Sequence, residues 1–333
     1  MTLPADPSDP PDPPNPLPAA RGLGLFSFAI EGRRAPGLFA AGWVLTVAGA
    51  GLLAMWLLGG SSTPVFAGFG VAAATIGLVL LAGSQAIERR AAGAPYAGPS
   101  PVLLFLVVVG ASWLLAFAVG IPLALVGAKV SRPVGELILA LLQAAVFVGT
   151  VRLLVIGTRA LSAAELGLVG DRRSIGRDLV AGSLYLGPVI LATAVVSVIV
   201  VNVVGAVPES PLPPTGSAAG AVLHLLVGVV IAPPAEELLF RGAMLTAWLR
   251  TVGPRAAIAR SSLLFVVAHV LTIQAATFEE AARLAVVAAL VRLPVSVALG
   301  WLFVRTGRLW PSIGLHATFN GFLIVISELA VNG

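Results

Sequence analysis

The amino-acid sequence predicts an all-α fold, a polytopic transmembrane helical bundle of about 8–9 spans, and three observations predict it. Of 333 residues, 58% are hydrophobic and 11% are charged, with a mean hydropathy of +1.01. A soluble domain carries about a quarter charged residues to face water, so lipid must be the solvent here. Apolar runs of spanning length recur along the chain, and arginines gather between them.

Residues 1–20, MTLPADPSDPPDPPNPLPAA, precede the first run. Repeated proline and aspartate block helix and sheet pairing and offer nothing to bury, so a disordered tail is expected. The segment also lacks the basic-then-apolar order of a signal peptide. A spanning helix needs roughly 20 mostly apolar residues. That ruler marks 37–58, 65–87, 101–126 and 134–157, then 179–205, 217–238, 261–278, 284–305 and 309–330. Pro122, Pro188, Pro233, Pro234, Pro294 and Pro311 fall within or at the ends of these runs, where they begin or kink a helix. Residues 21–159 thus read as N-terminal spans of unassigned role. The polar connector 160–179 is expected to hold a short surface helix and to open a second region, 160–333.

Cytoplasmic loops collect Lys and Arg. A cytoplasmic N-terminus places Arg33, Arg34, Arg89, Arg90, Arg159, Arg172, Arg173, Arg177, Arg250, Arg255, Arg305 and Arg308 on that side. The opposite loops are 59–64 and 206–216, with no Lys or Arg, and 279–283, with Glu279, Glu280 and Arg283; Lys129 and Arg132 are the exception. The net charge of +5 is accounted for by these arginines, and no basic run with interleaved aromatics points to nucleic acid. Low lysine with abundant Ala, Gly and Arg suggests a bacterial cell membrane as the location.

Cysteine is absent, which removes disulfides, thiolate metal sites and a cysteine nucleophile. An ionisable side chain inside an apolar span costs about 2.5–3.5 kcal/mol on insertion scales and marks a candidate site. Such groups concentrate in three segments. APPAEELLFRGAML (232–245) carries Glu236 and Glu237 with Arg241; SSLLFVVAHVL (261–271) carries Phe265 and His269; PSIGLHATFNGF (311–322) carries His316 and Asn320. Each pair is spaced i, i+4, on one helix face. Each also has a plainer reading. The glutamates suit the first turn of a helix opened by Pro233 and Pro234, a lone histidine packs, and two polar groups on one face glue helices.

Taken together and in order, the segments resemble the CAAX protease and bacteriocin-processing (CPBP, Abi-type) intramembrane endopeptidases, marked by EExxxR, FxxxH and HxxxN on successive helices. The resemblance covers about residues 160–325. It implies Glu236 as the activating acid, His269 as its partner, and His316 with Asn320 as stabilisers of the tetrahedral intermediate, while Glu237, Arg241 and Phe265 support them. The partners it implies are the lipid bilayer and a peptide or membrane-protein substrate.

A carboxylate beside an imidazole can take a proton from water as it attacks a carbonyl, worth about 10²–10⁴ in rate. The same atoms, Glu236, His269 and His316, are also a familiar donor set for catalytic zinc. No cofactor is firmly expected, because HExxH spacing is missing; zinc stays open. A rhomboid-like serine route through Ser112 lacks the glycine expected after the serine, where Trp113 stands. His224 reads as a packing residue, and Arg292 as an internal donor or a snorkelling side chain. A transporter would need matching charged signatures in both halves, and a catalytically silent scaffold or immunity protein would keep the fold without cleavage.

Overall fold

A computed structural model describes residues 34–58, 64–207, 210, 212–271, 273 and 275–332. The expected 1–20 tail, Arg33 and residues 59–63 of the expected 59–64 loop lie outside these residues. Among the described residues every regular element is a helix: α1 Pro36–Leu58, α2 Pro64–Ala91, α3 Pro101–Leu125, α4 Arg132–Thr150, α5 Arg172–Ser183 and α6 Leu186–Val204, then α7 Ala218–Leu225, α8 Ala232–Glu237, α9 Thr246–Leu249, α10 Pro254–Val270, α11 Phe278–Thr306 and α12 Leu309–Asn332. Eight helices are long and apolar enough to cross a membrane. The protein is an all-α polytopic bundle of the integral membrane class.

Three expected boundaries change. Helix α5 begins at Arg172, where Asp171 caps the amide of Ser174 at 2.9 Å. The expected surface helix is therefore the first turns of a 33-residue span, Arg172–Val204, bent at Leu184 and Tyr185. The expected span 261–278 is Pro254–Val270 instead. Pro254 opens it, and Thr277 caps α11 by accepting from the amide of Glu280 at 3.2 Å, so the chain before Phe278 cannot stay helical. At 17 residues α10 is about 26 Å long, yet it carries the chain from one end of the bundle to the other. Its early residue Ile258 packs against Gly300 near the end of α11, so the two run antiparallel.

The third change concerns Pro233 and Pro234, which do not open a helix but lie inside one running from Ala218 to Leu249. Proline removes a ladder donor, and two wider π turns, Leu226–Ile231 and Leu238–Leu245, flank the pair. In the first, the amide of Ala232 donates to Val227, five residues back. The next such bond would run from Pro233 to Gly228. Pro233 has no N–H, and the Asn320 side-chain amide donates to the Gly228 carbonyl instead, at 3.0 Å. In the second π turn, Ser261 donates to the carbonyl of Phe240 at 2.9 Å. Side chains from α10 and α12 thus complete the ladder that the prolines and π turns interrupt.

From Leu239 to Trp248 this helix is buried on every side. Phe147 and Val151 of the fourth span, with Leu104 and Val108 of α3, pack in one core with Leu239, Phe240 and Met244. Helix α12 is fixed by backbone contact with α5. A Cβ on Gly182 would stand 1.9 Å from the carbonyl oxygen of Pro311, and one on Gly314 would stand 2.1 Å from that of Leu179, so only glycine allows this approach. His316 follows Gly314 by two residues.

The connector closes one end. Leu309 donates to the carbonyl of Gly167 at 3.0 Å, Arg308 meets Asp178 at 2.7 Å, and Arg250 pairs with Glu165. The amide and hydroxyl of Ser162, and then Arg250, hold the Glu165 carboxyl below its ordinary range. The loops after α9, before α12 and before α5 therefore lie at the same end.

Candidate active site

Three of the four residues expected to do chemistry meet around one carboxylate oxygen. Glu236 Oε2 stands 3.7 Å from His316 Nε2 and 3.9 Å from His269 Nε2. It accepts no hydrogen bond from any described residue. The prolines place it there, since α8 carries Glu236 and Glu237 side by side between two π turns. Successive residues on a helix point about 100° apart, so Glu236 faces the two imidazoles half-buried while Glu237 is fully buried.

The other ring nitrogens fix the tautomers. His269 Nδ1 lies 2.8 Å from the carbonyl of Phe265, one turn back on α10. A carbonyl only accepts, so Nδ1 carries the proton and the neutral ring turns a bare Nε2 to Glu236. His316 Nδ1 lies 2.9 Å from Glu237 Oε1, and the ionised carboxylate sets the same tautomer. Both imidazoles thus present Nε2 toward one oxygen.

Behind this face is a buried ion pair. Arg241 Nη1 donates to Glu237 Oε1 at 2.8 Å, with both side chains 0% exposed. Arg241 Nη2 donates to the carbonyl and hydroxyl of Ser296 on α11, each at 3.0 Å. Its guanidinium lies 4.5 Å from the centre of the Phe265 ring. Phe265 also meets His269, 4.5 Å between ring centres, His316 at 5.7 Å and Phe240 at 5.2 Å. One aromatic ring therefore spaces the cation from both histidines, and an unpaired charge at this depth would be far more costly.

Asn320 does not reach Glu236; one of its amide hydrogens is engaged by Gly228, one turn beyond His316 on α12. Ser112, the serine of the alternative route, has no hydrogen-bond partner and no histidine beside it among the described residues. Two contributors escaped the sequence reading. Ser296 is a small polar residue in an apolar span, the one signal that could have found it. Arg292 on α11 donates to the carbonyl of Ala288 at 3.0 Å, as the internal donor of the sequence reading would.

Glu136, partly buried on the fourth span, is the second. It accepts from His224 Nε2 at 2.7 Å; His224 is 1% exposed. Opposite stands Glu328, 3.9 Å from His224 Nδ1.

Glutamate oxygen and imidazole nitrogen are the donor types zinc takes. Two ligands about 2.05 Å from a tetrahedral zinc stand about 3.3 Å apart, closer than the 3.7 and 3.9 Å found here. Among the described residues no group of three His, Cys, Asp or Glu side chains has the spacing to hold a metal ion. The arrangement as it stands does not fit the ion.

Comparison with known proteins gives one family. Residues 218–322, about a third of the chain, match the family model described as type II CAAX prenyl endopeptidase Rce1-like. No curated protein and no solved structure matches the chain. The matched segment runs from α7 into α12 and contains every group in contact around Glu236. That segment is similar to the type II CAAX prenyl endopeptidases, in keeping with the resemblance that the three motifs carry.

Proposed function

We propose that the protein is an intramembrane endopeptidase of CAAX type, hydrolysing a peptide bond of a membrane-associated peptide or protein with Glu236 as general base. One observation carries this reading: a carboxylate oxygen without a hydrogen bond faces two bare Nε2 atoms across a gap of hydrogen-bonding reach for one water.

Water bound between Glu236 and His269 attacks the substrate carbonyl carbon as its proton passes to Glu236. The C=O bond becomes a C–O⁻ single bond. His316, oriented by Glu237 through Nδ1, donates to that oxygen from Nε2 when its ring carries a second proton. The second N–H of Asn320 offers another donor. A preorganised donor in such a site is worth roughly 2.7–4 kcal/mol. When the intermediate collapses, the C–N bond breaks, and Glu236 returns its proton to the leaving amine. Helix α8 projects the base, α10 and α12 the imidazoles, and the Glu237–Arg241 pair keeps His316 in register.

We place the N-terminus on the cytoplasmic side, because the arginine-rich ends that meet at the 157–171 connector then share one face. Cleavage of a membrane-anchored peptide by reconstituted wild type, Glu236→Gln and His269→Ala tests the reading. Glu236→Gln is expected to lose at least about a hundredfold in rate. Unchanged rates in both variants overturn it. Metal analysis and chelation on the same preparation test zinc, whose donor set is present; stoichiometric metal required for cleavage would replace the general-base step.

A further inference from the structure

Three arginines at one end of the bundle find partners within the protein. Arg308 meets Asp178, Arg250 meets Glu165, and Arg89 donates to the carbonyl of Gly98 at 2.9 Å. Arg305, in the last turn of α11, is held differently. Its guanidinium lies 5.2 Å from the centre of the Trp301 ring, one turn back on the same helix, and it makes no hydrogen bond and no ion pair among the described residues. Trp301 in turn meets Tyr185 at the bend between α5 and α6, with ring centres 5.6 Å apart and the planes at 70°. All three side chains are exposed. The indole N–H and the phenol O–H also have no hydrogen-bond partner among the described residues, so stacked rings fix the group while every donor in it stays open.

Depth and charge say what the donors meet. Helix α11 has 29 residues and is about 43 Å long, enough to cross a hydrocarbon core of about 30 Å and reach both headgroup layers. With α11 centred at its midpoint, Arg292, Trp301 stands about 13.5 Å from the bilayer centre and Arg305 about 19.5 Å. The first depth is the border of the hydrocarbon, where Trp and Tyr are favoured; the second is the level of the lipid phosphates, about 15–22 Å from the centre. Arg308 and Arg177 share the carboxylate of Asp178, at 2.7 and 3.8 Å, so with Arg305 this corner holds an excess of positive charge. Toward the bilayer centre the stripe of α11 that carries Arg305 and Trp301 continues with Val297 and Leu290, both exposed.

We propose that Tyr185, Trp301 and Arg305 form a headgroup site for an anionic phospholipid of the leaflet at this end. Arg305 grips the phosphate with its fork of donors, Trp301 and Tyr185 donate to phosphate or glycerol oxygens, and an acyl chain lies along Val297 and Leu290. A zwitterionic lipid fits less well. The Trp301 face that would take a choline ammonium is already covered by Arg305, and the surplus of arginine repels a second cation. The bound lipid ties the bend of α5 and α6 to α11. This site is independent of the chemistry at Glu236.

Native mass spectrometry of the full chain in detergent tests it, with phosphatidylglycerol and phosphatidylcholine of identical chains added in equal amounts. The proteins compared are wild type, Arg305→Gln, Arg305→Lys and Arg173→Gln; Arg173 is an exposed arginine at the same end but outside the group. In wild type the first phosphatidylglycerol is expected to bind roughly tenfold tighter than the first phosphatidylcholine. Arg305→Gln should bring that ratio toward one at an unchanged unfolding midpoint, Arg305→Lys should keep part of it, and Arg173→Gln should keep all of it.

Equal binding of the two lipids by wild type overturns the proposal, as does an Arg305→Gln variant that retains the preference. Equal losses in Arg305→Gln and Arg173→Gln overturn it as well, since the preference then belongs to the general charge of this end. Excess glycerol phosphate, which brings the anion without the chains, should displace little of the bound lipid. Full displacement overturns the assignment to a membrane lipid.

Discussion

Two acid–imidazole clusters hang from the same long helix, twelve residues apart, and their geometries differ. At His224 the ring is 2.7 Å from Glu136, and Glu328 beyond it accepts from the amide of Thr215 at 2.8 Å. That cluster is joined by direct contact, although His224 Nδ1 has no hydrogen bond among the described residues, and it clasps the fourth span, α7 and α12 at one end. At Glu236 the shortest approach of an imidazole is 3.7 Å, and Oε2 has no hydrogen bond among the described residues. Completed polar contacts hold helices together, whereas an incomplete one keeps a group available for an incoming molecule. Glu237, the neighbour of Glu236, is of the joined kind through Oε1, which meets both Arg241 and His316.

The largest effect expected from breaking this contrast is on rate. Glu236→Gln keeps the shape and removes the base, and cleavage should fall by about 10²–10⁴ with the unfolding midpoint unchanged, read by peptide hydrolysis and thermal unfolding in detergent. Arg241→Met strikes the completed side: it leaves Glu237 charged and buried, and should cost about 3–5 kcal/mol in a reversible unfolding assay. Asn320→Leu removes the donor that serves the Gly228 carbonyl and should cost about 1–3 kcal/mol; because the proline turn then loses its support, cleavage should drop as well. His224→Leu should be mildest, about 1 kcal/mol of stability with cleavage retained, since Glu136 keeps Arg132 at 3.0 Å. A His224→Leu variant that folds but no longer cleaves would move the second cluster into the reaction.

Much of this contrast was legible in the sequence, and the part that was not has a physical cause. Hydropathy located the bundle, because runs of lipid-facing residues leave a local signal. The i, i+4 pairs brought out Glu236, Glu237, Arg241, Phe265, His269 and His316, which the fold gathers into mutual contact. The sequence could not tell that Pro233 and Pro234 lie within a helix. Their cost is met by π turns and by Asn320, 92 residues away, and no periodicity records such a partner. Glu136 was hidden for the same reason, since His224 lies 88 residues further along. The apolar-length ruler likewise began α10 too late, because Arg255 and Arg260 interrupt its apolar run although the helix continues through them.

The central claim is that adjacent glutamates have opposite tasks, Glu236 chemical and Glu237 architectural. Cleavage rate and unfolding midpoint, measured together on purified Glu236→Gln and Glu237→Gln, test it most directly. Glu236→Gln should lose cleavage at an unchanged midpoint, while Glu237→Gln, which strands Arg241 and frees His316, should lower the midpoint and cleavage together. Wild-type cleavage by Glu236→Gln, or a midpoint lowered as far as that of Glu237→Gln, would contradict it.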